Sequence, residues 1–207
     1  MIVRGRIRRF VGADDGAMLV EFAILMPLML LLTFGLIDFG RLGFSYVMAQ
    51  KATEMAVRDA VVRAPLCGTL PETNARGSLS GTVSGLRFGA SCSAGTDLCK
   101  SFVAVSCTAE NATDFWARIA PLMPTNATPA NLTVTYDFDP ALGFLGGPVT
   151  PYVTVAITDL DFEFVTPLGA LARLVTGGDA GMLGQDIAFP SMSASLPAEA
   201  LLVGDDA

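Results

Sequence analysis

The chain has 207 residues, a net charge of −7 and a mean hydropathy of +0.53, and it contains no His. The lack of His excludes Ser-His-Asp and Cys-His active sites and histidine metal ligands. The acidic balance argues against nucleic acid as a partner. Only 16% of the residues are charged, against about 25% in an ordinary soluble domain. The composition therefore indicates contact with a membrane or burial against other subunits.

A basic segment precedes a long apolar run at the start of the sequence. Residues 1–9 contain four Arg and no acidic residue, and residues 17–37 contain a single charge, Glu21. As a helix, residues 17–37 would be about 31 Å long, which matches a hydrocarbon core about 30 Å thick. We predict one transmembrane helix over residues 17–37, with the N-terminus in the cytoplasm. A secretory signal peptide is the alternative, although no small-residue cleavage site follows Ile37.

The helix is predicted to continue beyond the membrane. Residues 41–64 are good helix formers without proline, and Pro65 and Gly68 end the run. We therefore expect one helix over residues 17–64, with a kink at Pro27 because proline lacks a backbone donor. Apolar residues at 3–4 spacing predict the buried stripe of the outer half. These residues are Phe44, Val47, Met48, Ala52, Met55, Ala56 and Ala60.

Residues 65–207 predict a small domain with a mainly antiparallel sheet and one or two short helices, so the fold class is α+β. Alternating or short apolar runs bounded by Gly, Ser and Pro mark the strands. The predicted strands are residues 82–88, 101–106, 131–137, 152–158, 160–165 and 188–196. The predicted short helices are residues 109–120 and 168–175.

All four Cys residues follow the predicted membrane span. An even number of Cys in an oxidising compartment indicates two disulfides, and four Cys allow three connectivities. We prefer the pairs Cys67–Cys107 and Cys92–Cys99. A zinc site is the alternative, but the spacing lacks C-x2-C and the chain lacks His, so we predict no metal site.

Three acidic residues alternate with apolar ones near the end of the predicted sheet. Asp159, Asp161 and Glu163 would share one face of a strand. A solvated outer face is the interpretation that we favour. A calcium site is the alternative.

Glu21 is the unusual residue of the apolar run. A carboxylate at the centre of a membrane helix costs about 2.5–3.5 kcal/mol, so something should offset it. Cleavage between Gly16 and Ala17 would place a new α-amino group one helical turn from Glu21. An ammonium and a carboxylate can neutralise each other at that distance, within one chain or between staggered subunits. Glu21 and the following Phe22 then have a role in assembly rather than in catalysis.

The segment from Gly16 to Phe22, GAMLVEF, resembles the class III signal of type IV pilin-like proteins. Residues 16–64 resemble TadE-like pseudopilins, which are minor pilins of the tight-adherence (Flp) pilus system. A weaker resemblance covers residues 131–166. The resemblance implies that a prepilin peptidase removes the cytoplasmic leader, residues 1–16, by cutting after Gly16. It also implies partners: other pilin and pseudopilin subunits, an inner-membrane assembly platform and the lipid bilayer.

We therefore expect a structural subunit, not an enzyme, that needs no cofactor and no nucleic acid. The resemblance implies a single-pass protein of the bacterial inner membrane, with residues 65–207 in the periplasm and, after assembly, outside the cell in the pilus. Such a subunit would be needed for pilus assembly and would contribute to surface adhesion. The alternative is a permanently anchored periplasmic binding or scaffold protein of an envelope complex. An enzyme would need an acid-only or metal site.

Overall fold

The computed structural model describes residues 15–78, 87–178, 181 and 184–199. A long N-terminal helix precedes an antiparallel sheet with short helices, which confirms the predicted α+β class. The elements in chain order are α1 (Asp15–Val61), β1 (Val105–Thr108), α2 (Thr113–Ile119), β2 (Leu132–Asp137), β3 (Tyr152–Ile157), β4 (Asp161–Phe162), α3 (Leu168–Thr176), β5 (Ile187–Ala188) and β6 (Met192–Pro197). The predicted leader lies outside the described residues except for its last two positions.

The chain divides into two compact units. The first unit combines the described residues of Met1–Gly43 and Glu163–Ile187, and the second combines those of Phe44–Phe162 and Ala188–Ala207. The single domain that the sequence predicts over residues 65–207 stays a prediction. Residues 163–187 group with the N-terminal part of α1, because contacts described below hold them there.

Helix α1 runs without interruption from Asp15 to Val61 and passes through Pro27. It ends at Val61, before the predicted end at Ala64. Ala64 precedes Pro65, and the residue before a proline disfavours the helical conformation. Pro27 cannot donate a backbone hydrogen bond to the carbonyl of Ala23, which is the acceptor four residues earlier. The kink at Pro27 stays a prediction.

The second unit contains a four-stranded antiparallel sheet in the order β1-β2-β3-β6. Strand β2 alternates between the buried Leu132, Val134 and Tyr136 and the partly exposed Thr133 and Thr135. On the opposite face from the core, hydroxyl groups pair across strands. The pairs are Ser106 with Thr135 at 2.7 Å and Thr154 with Ser195 at 2.9 Å. One face of the sheet is thus apolar and the other is polar, as expected when apolar and polar residues alternate along the strands.

Small residues of α1 pack into the core of the second unit. The predicted stripe is right for Ala52, Ala56 and Ala60, which are buried, and wrong for Phe44, Val47 and Met55, which are exposed. The reason is position on the helix, which turns by about 100° per residue. The buried Ala49, Thr53 and Val57 lie on one side of Ala52, whereas the exposed residues of the predicted stripe lie on its other side. The core residues contributed by α1 are Ala49, Ala52, Ala56, Val57, Ala60 and Val61, and they join Val134, Val155 and Phe115 in one cluster.

Several predicted strands are shorter than the sequence suggests. The run 160–165 is reduced to β4, because contacts with distant residues hold the chain on both sides of it. Before the strand, Asp159 turns the chain with a φ of 52° and its carbonyl accepts a hydrogen bond from Asn131 Nδ2 at 2.6 Å. After the strand, Thr166 is hydrogen-bonded to Asp38. The run 101–106 becomes a strand only at Val105. The run 188–196 splits into β5 and β6, with Pro190, which cannot donate to a ladder, between them. The run 82–88 lies mostly outside the described residues.

The two predicted short helices are both present in modified form. The run 109–120 becomes a single 3-10 turn, Ala109–Asn111, followed by α2. The run 168–175 becomes α3, which is one residue longer than predicted and ends at Gly177 in the left-handed conformation with a φ of 68°. A glycine at this position is typical of helix ends.

Candidate functional site on the N-terminal helix

The residues of the predicted processing motif lie in the first two turns of α1. Gly16 and Ala17 follow directly on the first helical residue, Asp15, and Glu21 and Phe22 lie about one turn further on. Gly16 is exposed, and a Cβ atom added to it would meet nothing within 4 Å. The helix therefore presents Gly16 on an open surface, on the same element as Glu21.

Glu21 is exposed and has no hydrogen-bond or ion-pair partner among the described residues. The other polar side chain of the apolar run behaves differently. The Thr33 hydroxyl donates to the carbonyl of Met29 at 2.8 Å and is therefore satisfied within the helix. A partner for the Glu21 carboxylate thus has to come from outside the described chain.

The N-terminal half of α1 exposes large apolar side chains over most of its surface, and only the face that carries Leu30, Leu31 and Phe34 is partly covered. Within the described residues, Met18–Val61 is the one helix that is long and apolar enough to span a membrane, and none of its most apolar window is buried. Burying one such side chain is worth about 1.5–3 kcal/mol, so this surface is strongly unfavourable in water. The helix is consistent with a single-pass membrane anchor. Its most exposed apolar residues include Met18, Leu19, Phe22, Ile24, Met29, Leu32 and Leu36.

Asp38 is a residue that the sequence analysis misses. It is fully buried, directly after the apolar run 17–37. Its Oδ2 accepts a hydrogen bond from the Thr166 backbone N–H at 3.1 Å and a second one from the Thr166 hydroxyl. Its Oδ1 faces Arg41 Nη1 at 3.3 Å. The carboxylate is therefore neutralised and solvated by protein groups of its own unit.

The only sequence signal for Asp38 is its place immediately after the apolar run. No local pattern links it to Thr166, which lies 128 residues further along the chain. An edge-to-face contact between the rings of Phe39 and Phe164, with centroids 6.0 Å apart, supports the same junction. These contacts explain why residues 163–187 belong to the first unit.

The disulfides stabilise the second unit. Cys67 is bonded to Cys107 across 40 residues, and Cys92 is bonded to Cys99 across 7 residues. This is the pairing that the sequence analysis prefers. The longer bridge joins the segment after α1 to β1, and its loop constrains the unfolded chain more than the short bridge does.

The acidic residues near β4 lie on the surface. Asp161 and Glu163 are exposed and the intervening Phe162 is buried, as expected of a solvated face. In the described part of the chain, no group of three or more Cys, Asp or Glu side chains could hold a metal ion.

These features define an α+β protein with one exposed apolar helix at its N-terminus and a disulfide-bonded antiparallel sheet. The family profile described as TadE-like protein matches residues 16–58 of the chain, which include Gly16, Glu21 and most of α1. The match supports a TadE-like protein of the tight-adherence system, and it confirms the resemblance to TadE-like proteins over residues 16–58. No curated protein and no solved structure matches the chain.

Proposed function

We propose that the protein is a minor pilin-like structural subunit needed for assembly of a tight-adherence pilus. The observation that carries the proposal is the exposed apolar helix with Gly16, Glu21 and Phe22 at its start, within the segment that matches the TadE-like family. An isolated helix surface of this kind needs either lipid or other helices around it. A pilus subunit is surrounded by lipid before assembly and by other helices after it.

Processing is the first step of the proposed function. A prepilin peptidase cuts after Gly16, and the exposed position of Gly16 supports access to that bond. The cut leaves an α-amino group on Ala17, close to the Glu21 carboxylate, which has no partner among the described residues. The two groups offset each other's charge, within one chain or between neighbouring subunits, which lowers the cost of placing Glu21 among apolar side chains.

Assembly is the second step. Before assembly, the helix anchors the protein in the inner membrane, with the second unit on the periplasmic side. During assembly, the same apolar surface leaves lipid and packs against other pilin and pseudopilin helices at the assembly platform. Both environments exclude water, so the transfer does not expose the surface.

The second unit, outside the membrane, supplies contacts with other subunits and with the surface to which the pilus adheres. Its two disulfides suit an oxidising compartment and a mechanical load. The proposal assigns no catalytic residue and no cofactor to the chain. The alternative function, a permanently anchored periplasmic scaffold, does not require cleavage after Gly16 or a charge at Glu21.

The charge of Glu21 separates the two functions. In a host that lacks the native copy, the variant Glu21→Gln should insert normally but reduce the sheared pilus fraction roughly tenfold, which corresponds to about 1.4 kcal/mol per subunit joined. The matched control is Glu54→Gln, which removes an exposed carboxylate from the same helix, where it is paired with Lys51 at 2.8 Å. Immunoblots of the membrane and pilus fractions measure both variants. Normal pilus amounts with Glu21→Gln would favour the scaffold.

A further inference from the structure

The first unit contains a short amphipathic helix that the proposed function does not use. In α3, Leu168 and Ala172 are buried, whereas Leu174 and Val175 are exposed. At 100° per residue, the polar positions Gly169, Arg173 and Thr176 share an arc of about 60°, which lies roughly 100–160° around the helix from Leu174. The helix thus has an inner apolar face, an outer apolar flank and a polar side.

The segment that leads into α3 is fixed to α1 at the end of the apolar run. Thr166 donates two hydrogen bonds to the buried Asp38, and Phe164 packs edge-to-face on Phe39. Val165 lies between these two contact residues and is 72% exposed. The exposed Val165 is therefore held beside the last residues of the predicted span.

Both parts of the first unit carry exposed apolar side chains. Leu36 is 77% exposed on α1, and Leu174 is 68% exposed on α3, within the same unit. Two separate parts of the chain thus present large apolar side chains within the unit that contains the buried Asp38. Lipid is the occupant that the proposed anchor already places on the α1 part of this surface.

We propose that residues 163–178 form a membrane-interface element, which lies at the headgroup level with Val165, Leu174 and Val175 in the acyl boundary. The proposal rests on the proposed membrane anchor. Arg173 on the polar side extends toward the lipid phosphates, as long cationic side chains do at interfaces. A free helix as short as α3 would bind lipid weakly, but attachment to α1 makes its contact with the bilayer intramolecular.

The element also gives Asp38 a defined level in the membrane. A carboxylate is far less costly near the interface than at the bilayer centre. Because Asp38 is bound to Thr166 and Arg41, the end of the span and the interface element are held at one depth. The structure thereby limits how far α1 can slide through the bilayer before assembly.

Depth-dependent quenching of a fluorescent label tests the proposal on the full chain. The protein is reconstituted in vesicles of phosphatidylethanolamine and phosphatidylglycerol, with one added cysteine labelled by an environment-sensitive dye. Leu174→Cys and Val165→Cys report on the apolar flank, and Val175→Cys replaces either variant if it fails to fold. Thr176→Cys is the matched control on the polar side, and Met29→Cys is the control for the span. Mass spectrometry verifies one label and two native disulfides per chain.

The proposal predicts blue-shifted emission at Leu174 and Val165, with quenching by shallow nitroxide lipids on the order of threefold stronger than at Thr176. Met29 should be quenched by deep nitroxide lipids. If Met29 is quenched but Leu174 and Val165 are not, the anchor stands and the interface element is refuted. Blue-shifted labels without lipid quenching would mean that a second copy covers the flank, which also refutes it. If Met29 itself is not quenched, the anchor and the element both fail.

Discussion

The two parts of α1 differ in what covers their apolar side chains. Residues 18–37 carry large apolar side chains, most of which are exposed and covered by nothing within the described chain. Residues 49–61 carry alanines on one face, which pack on the sheet, while Lys51 and Glu54 pair in solvent on another face. Hydropathy alone thus identifies the part that needs an outside partner. Residue spacing and side-chain size identify the part whose partner is in the chain.

The largest expected effect concerns the second unit, where residues 49–61 of α1 pack within the chain. Replacing Cys67 and Cys107 together by Ser should lower the free energy of unfolding by about 4 kcal/mol, because the lost bridge closes a loop of 40 residues. The matched control replaces Cys92 and Cys99 by Ser, with a smaller expected loss of about 2.5 kcal/mol. Urea unfolding of the full chain in detergent, followed by circular dichroism, measures both. An equal or larger loss for the short bridge would contradict the prediction.

A charge in the outward-facing part should disturb insertion. Leu28→Arg places a cation near the middle of the predicted span, at a cost of about 2.5–3.5 kcal/mol. The fraction that resists alkaline carbonate extraction should therefore fall. Met55→Arg is the control, since Met55 is an exposed apolar residue of the same helix beyond the predicted span. If alkaline carbonate extracted the two variants to a similar extent, the proposed difference between the two parts of α1 would be contradicted.

A larger side chain in the alanine face should disturb packing. Ala56 is fully buried against the sheet, so Ala56→Leu should destabilise the second unit by about 1–3 kcal/mol through overpacking. The neighbouring Met55→Leu changes an exposed position and should stay within about 0.5 kcal/mol of the parent protein. Thermal unfolding in detergent compares them. A tolerated Ala56→Leu would show that the helix does not lie close to the sheet.

The smallest expected effect concerns Tyr136, whose buried hydroxyl accepts a hydrogen bond from the Leu66 N–H at 3.2 Å. Tyr136→Phe should cost about 1 kcal/mol at neutral pH. Burial raises the pKa of Tyr136 above its ordinary value of 10.0, and the Leu66 N–H lowers it only in part. The neutral form is therefore the one that folding favours.

It follows that the contribution of Tyr136 is fully present below about pH 10 and is lost as the pH rises from there toward the raised pKa. Tyr136→Phe should therefore reduce the alkaline loss of stability. Chemical unfolding at a series of alkaline pH values measures this difference. Identical alkaline curves for Tyr136→Phe and the parent protein would contradict the assigned burial effect.

The elements with regular local patterns are those that the sequence predicts well. Strands β2 and β3 follow from strict alternation, and α1 follows from its uninterrupted helix formers. Strand β4 is shorter than its alternation suggests, because distant residues hold the chain on both sides of it: Asn131 bonds to Asp159, and Asp38 bonds to Thr166. The exposed Phe44 and Met55 show that spacing marks an apolar face without revealing which apolar residues can approach a sheet.

The residues of the candidate site likewise differ in whether the sequence predicts their importance. Gly16, Glu21 and Phe22 are recognisable from their order and from the apolar run that follows them. Asp38 is not recognisable, because its importance comes from Thr166 and Phe164 of a distant segment, and such a contact has no local signature. The attachment of residues 163–187 to the N-terminal part of α1 therefore emerges only from the three-dimensional structure.

The measurement that tests the central claim most directly is the N-terminal sequence of the protein isolated from host membranes, with and without the host's prepilin peptidase. The account predicts a mature chain that begins at Ala17 when the peptidase is present, and an uncut chain when it is absent. A chain that keeps residues before Gly16 in the presence of the peptidase, or one that begins after Ile37, would contradict the account.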